Sequence, residues 1–141
     1  MVRKSKLFIM AALASLSLTS GDVMAYKLNF AFANGNYQVE IDENSNNAKL
    51  IAALPLTLTF EDYGSHERIA YLEDKLDIPA SVSCNPVRGD FTYYVPWGNI
   101  AVFTKDFRTS QSLYRFGKLS EELLDAIANS GQETVTISLI E

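Results

Sequence analysis

The chain has 141 residues, 21% of them charged, and a formal net charge of −5. That length suits one domain, and the acidic balance disfavours nucleic acid and anionic membrane surfaces, which carry the same sign of charge. One His and one Cys are too few to hold zinc or to close a disulfide within the chain.

Arg3, Lys4 and Lys6 precede an apolar run, Leu7 to Leu18, and then the polar stretch Thr19-Ser20-Gly21. Val23-Met24-Ala25 offers tolerated residues at the −3 and −1 positions of a cleavage site. This order predicts a secretory signal peptide over 1–25, cut after Ala25, and a periplasmic or secreted protein. The run is shorter than the roughly 20 apolar residues of a spanning helix. No stable membrane insertion is expected once the signal is removed. Cleavage also removes three cations and only Asp22 among the anions, so the domain at 26–141 is more acidic still.

Tyr26, Leu28, Phe30 and Phe32 alternate with polar residues, which predicts a strand. Asn34-Gly35 then predicts a hairpin with a type I′ turn, and Tyr37, Val39 and Ile41 alternate on the return. Asn and Ser at 44–47 suit a helix N-cap. The helix expected over 46–54 places Ala48, Ile51, Ala52 and Leu54 on one face and stops at Pro55. Leu56, Leu58 and Phe60 form the next strand, Asp62 to Ser65 a turn, and Glu67 to Leu72 its partner. The irregular stretch 73–90 holds Pro79, Pro86 and Gly89, and its length points to function.

Phe91, Tyr93 and Val95 face opposite to Thr92 and Tyr94. Pro96-Trp97-Gly98-Asn99 connects them to Ile100, Val102 and Thr104. Leu113 to Leu119 is a further strand. Ser120 caps a helix with Leu123, Leu124 and Ile127 buried, and Gly131 ends it. Val135, Ile137 and Leu139 share one face of the last strand. This meander of hairpins with few helices predicts an antiparallel barrel, since closure removes exposed edges.

Three stretches resemble a known family: LPLTLTFEDYGSHERIAYL (Leu54–Leu72), GDFTYYVPWGNIAVFTKDF (Gly89–Phe107), and Leu113–Leu119 with the capped helix after it. They are similar to the small bacterial cyclophilin-like fold proteins, and the likeness covers nearly all of 26–141. It implies a closed eight-stranded antiparallel barrel with two short helices. Prolyl isomerases of the true cyclophilin class carry an FHR-type strand and a GSQFFI-type strand. Neither string occurs here, so no catalytic residue is carried over.

The chemistry available is sparse. Arg68, Arg88, Arg108 and Arg115 read as solvated surface charges, and His66 as an exposed turn residue. There is no G-x-S-x-G elbow and no phosphate-binding glycine string, so neither catalysis nor a cofactor is predicted. Cys84 reads as an inert loop thiol. The candidate ligand-binding set is Glu61, Tyr63, Tyr94, Trp97, Asn99 and Phe107: an aromatic wall outside the barrel with a few polar groups. The expectation is a binding module for a peptide or small apolar ligand. A weak prolyl isomerase and an assembly partner without a pocket are the alternatives, and core packing competes for each aromatic.

Overall fold

The computed structural model describes residues 24–141, so nearly all of the predicted signal peptide lies outside it. Along the described chain run β1 (Ala25–Phe32), β2 (Gly35–Asp42), α1 (Ser45–Ala53), β3 (Leu56–Thr59), β4 (Glu61–Tyr63) and β5 (Glu67–Tyr71). They are followed by β6 (Ser83–Cys84), β7 (Asp90–Tyr94), β8 (Asn99–Phe103), β9 (Ser110–Gln111), β10 (Leu113–Lys118), α2 (Glu121–Ala128) and β11 (Thr134–Ile140). All strand pairs are antiparallel.

The eight strands of one closed barrel are not what forms. The strands divide into a larger sheet of five (β10-β7-β8-β5-β4), a smaller sheet of four (β2-β1-β11-β3) and the two-stranded pair β9-β6. Two places interrupt the ladder. At the first, β3 belongs to the smaller sheet and β4 to the larger, and Phe60, fully buried, is the single residue between them. Its side chain drops into the core as the backbone turns the corner. At the second, β2 and β10 meet without a shared ladder. Asn47 of α1 fills that seam: its Nδ2 donates to the carbonyls of Asp42 (2.7 Å) and Phe116 (3.2 Å), and its Oδ1 accepts from the Tyr114 hydroxyl at 2.8 Å. The β10–β7 register shifts between Arg115 and Gly117, a bulge at Phe116 that bends β10 there.

Between the two sheets lies the main core, with Phe30, Phe91, Tyr93, Ile100, Val102 and Phe116 at its centre. The smaller sheet keeps one face in water: Lys27, Gln38, Glu40 and Thr57 alternate with buried neighbours. The larger sheet is buried on both faces at β8, every residue of which is inaccessible. The alternation therefore disappears there, as expected for a doubly covered strand.

Several local expectations are met and others shift. Ser120 caps α2 through its Oγ, which accepts from Leu123 N–H at 3.2 Å, and Leu123, Leu124 and Ile127 are its buried face. The first hairpin forms, but Phe32 pairs with Gly35. Its turn residues are Ala33 and Asn34, none with positive φ, so no type I′ turn is made. In α1 the fully buried residues are Asn47 and Leu50; of the expected face, Ile51 and Leu54 are half-buried against the core and Ala52 is exposed. Asn47 is drawn in because the seam offers carbonyls that an apolar side chain could not satisfy. The 61–63 segment is a strand, and the turn sits at Gly64 to His66.

Candidate ligand-binding site

Residues pointing away from the main core on the larger sheet build a second apolar cluster: Ile69 on β5, Ala101 and Phe103 on β8, and Leu113 on β10. Tyr94, Cys84 and Phe107 pack against it. The segment 104–112 covers part of this face as a strap. It is tied down by β9–β6 pairing, by Phe107 N–H to the Pro86 carbonyl (3.0 Å) and by Ser112 N–H to the Val82 carbonyl (2.7 Å). Sheet and strap leave between them a cavity of about 360 Å³, within the range of small-molecule sites.

Of the candidate residues, Tyr63, Tyr94, Trp97, Asn99 and Phe107 line this one cavity. Glu61 does not. It is exposed on β4 opposite Ile69 and is absent from the cavity wall, which β4 reaches only through Tyr63.

The Trp97 turn is held by backbone chemistry. Gly98 has φ +69° and donates its N–H to the Tyr94 carbonyl at 3.0 Å, a conformation that favours glycine. Asn99 does not bond the turn: it is the first residue of β8, paired with Tyr94 and Tyr71. Trp97 remains 45% exposed. Its ring stands edge-to-face between Tyr63 (5.5 Å, 82°) and Tyr94 (5.4 Å, 82°), so the three rings form a rim.

Asn99 lies at the cavity floor, 1% exposed. Its Nδ2 donates to the Ile100 carbonyl at 3.1 Å, while its Oδ1 has no partner among the described residues.

At the opposite end of the cavity stands Glu67, paired with Phe103 and Tyr63 across the sheet. Its Oε2 lies 3.2 Å from His66 Nε2. Burial raises the Glu67 carboxyl above its ordinary value, with His66 working against that shift. His66 is not the exposed turn residue expected from sequence. It stacks on Phe107 at 4.1 Å and 14°, which places it behind the wall. Arg108 also lines the cavity, its guanidinium 4.3 Å from the centre of the Phe107 ring.

Glu67, Ile69, Phe103 and Leu113 were not singled out by sequence, and Arg108 was read only as a solvated charge. One signal was available: Phe103 and Ala101 are apolar on the face opposite Ile100 and Val102, so both faces of β8 had to be covered.

Of the remaining arginines, Arg68 departs from the solvated reading, while Arg88 and Arg115 stay exposed with ion-pair partners. Arg68 is 6% exposed and closes the C-terminus of α2, donating to the carbonyls of Ile127 (3.2 Å) and Gly131 (2.8 Å) and to Ser130 Oγ (3.0 Å). Arg115 donates to the buried Asp90 at 2.9 Å. Arg88 pairs with Glu121 at 2.7 Å. Cys84 is half-buried beside the second cluster, and burial pushes its thiol up, with Arg115 opposing; a raised thiol is less reactive.

This arrangement of two facing sheets and two capped helices has a structural counterpart. The solution structure of a hypothetical protein from Archaeoglobus fulgidus matches with a TM-score of 0.64, covering 86% of this chain and 100% of that one at 16% identity. At that identity the likeness concerns the fold. No curated protein matches the chain. The sequence profile of the Cyclophilin-like family matches residues 30–138. The match begins inside β1, ends inside β11 and takes in the corner at Phe60, the Trp97 turn and the strap, so the chain belongs to the cyclophilin-like family.

Proposed function

We propose that this protein is an exported binding module, not an enzyme, and that a peptide or small apolar ligand occupies the cavity under the Tyr63–Trp97–Tyr94 rim. The observation that carries the reading is Trp97 itself. Pro96 and Gly98 account for the turn, so a large ring left 45% exposed at the mouth of a 360 Å³ cavity is unexplained by folding. An apolar wall with a few polar groups is the usual make-up of a ligand site. An assembly partner without a pocket gives no reason for the cavity.

Trp97 is the single Trp, so its fluorescence reports directly on occupancy. Titration with a peptide and apolar ligand library should shift or quench that emission saturably, and Trp97→Ala should abolish binding detected by calorimetry. Saturable binding with unchanged Trp97 emission would place the ligand elsewhere. Export is tested separately: N-terminal sequencing of the periplasmic or secreted protein should begin at Tyr26.

A weak prolyl isomerase is the second reading, favoured by Arg108. Rotation about an X-Pro bond needs an apolar pocket and a donor aimed at the prolyl nitrogen, and the barrier is near 20 kcal/mol. Arg108 is the arginine of the cavity wall. A protease-coupled proline-peptide assay, with Arg108→Ala as control, separates the two readings.

A further inference from the structure

Asn99 Oδ1 is a buried acceptor without a partner among the described residues, on a cavity wall it shares with the apolar Ile69 and Leu113. The orientation of its amide is determined by its surroundings. Nδ2 faces the Ile100 carbonyl at 3.1 Å, and exchanging the two atoms would set oxygen against oxygen. A buried acceptor in a folded protein is nearly always satisfied, and leaving one unsatisfied is costly. In the free protein the atom is closed to solvent and unpartnered among the described residues, a cost that a donor brought by a ligand removes. A ligand that brings such a donor gains a hydrogen bond that a purely apolar ligand does not.

The other polar groups of the cavity do not share this property. The Glu67 carboxylate is engaged by His66, and Ser110 Oγ donates to the Arg108 carbonyl at 3.3 Å. Glu67 also lies across β8 from Phe103, four residues along the strand from Asn99, or about 13 Å at the usual rise. Asn99 and Glu67 therefore stand apart along the cavity wall.

We infer that the cavity selects ligands presenting an N–H donor next to an apolar group, as an amide does, and that Asn99 Oδ1 is the acceptor that reads it. This rests on the reading of the cavity as a ligand site and decides within it, favouring amides over purely apolar ligands. The selectivity comes from satisfying an acceptor that the fold leaves unpaired among the described residues, which only a ligand with the donor does. A site built to hydrogen-bond a ligand group rejects the analogue without it far more strongly than an apolar pocket rejects a missing methylene.

The test uses two near-isosteres, N-methylbenzamide and methyl benzoate, which differ in replacing N–H by oxygen. Each is titrated into the ¹⁵N-labelled protein, with the Trp97 indole N–H cross-peak as reporter. The amide should bind at least about tenfold more tightly than the ester. In Asn99→Leu, which keeps an apolar filling at that position, the ratio should fall to about one. Equal affinities in the unsubstituted protein, with both probes moving the indole peak, would overturn the inference and leave the cavity as a ligand site. If neither these probes nor any library peptide moves that peak, the cavity is not a ligand site and both readings fall. The first comparison needs no variant, so it stands even where Asn99→Leu fails to fold.

Discussion

Trp97 and Glu67 lie on the same cavity and call for different measurements. Trp97 touches two tyrosine edges and is about half in water, so truncation forfeits two aromatic contacts and part of one ring's burial. Trp97→Ala should cost about 1–2 kcal/mol, below the about 3–5 kcal/mol of a core aromatic truncation. A chemical denaturation midpoint shifted by the larger amount would make Trp97 a packing residue. For Glu67 the sign follows from burial. Its folded-state value is raised above 4.5, so the folded protein holds that proton to higher pH than the unfolded chain does. The contribution to stability is best below the ordinary carboxylate value and declines as pH rises from there through the raised value. Melting temperatures of Glu67→Gln relative to the unsubstituted protein should therefore improve as pH rises from about 4 to about 7. A difference constant across that range would mean the carboxyl is well solvated.

Helix α2 shows how an element is completed by a residue distant in sequence. Its N-terminus carries its own cap in Ser120, with Glu121 and Glu122 in the first turn, where acidic groups favour the helix dipole. Its C-terminus has no basic residue in the last turn and is closed instead by Arg68 from β5. That guanidinium serves two carbonyls and the Ser130 hydroxyl, while its ion-pair partner Asp62 is mostly in water. The hydrogen bonds to the helix end therefore outweigh the ion pair, since exposed charges are screened. Arg68→Met keeps the length of the side chain but leaves these acceptors unmet. It should cost about 2–4 kcal/mol in a urea denaturation, whereas Asp62→Asn should cost under about 1 kcal/mol. Equal losses would shift the weight back to the ion pair.

On the scale of the whole molecule, the two sheets meet at one continuous corner and one unladdered seam. The corner is covalent, through Phe60. The seam depends on side chains: the amide of Asn47, and the close approach of Gly117 to Ile41. A Cβ placed on Gly117 would lie 2.8 Å from Ile41 Cγ2, closer than real carbon contacts allow. Gly117 does not have a positive φ, so its role is space and not backbone freedom. Gly117→Ala should wedge β10 from β2 and cost about 1–3 kcal/mol, as overpacking does. The loss should be non-additive with Ile41→Ala in a double-mutant cycle. Additive losses would mean the seam yields without strain.

By itself, the sequence determined the elements whose signals are local. Period-two alternation marked β1, β2, β7 and β11, because one residue step turns a side chain to the other face. Ser120 and the apolar spacing of Leu123, Leu124 and Ile127 marked α2. The aromatics of the Trp97 hairpin marked the outer face, and five of the six candidate residues line one cavity. Tertiary structure alone decided the rest. Whether strands close into one barrel depends on seams between residues as far apart as Asn47 and Phe116. The fates of His66 and Arg68 were set by neighbours that arrive from the strap and from α2. Glu61 and Glu67 look alike in sequence, yet folding leaves the first exposed and half-buries the second beside His66. The unpaired acceptor on Asn99 likewise exists only because folding turns Nδ2 to the Ile100 carbonyl and brings no donor among the described residues to Oδ1.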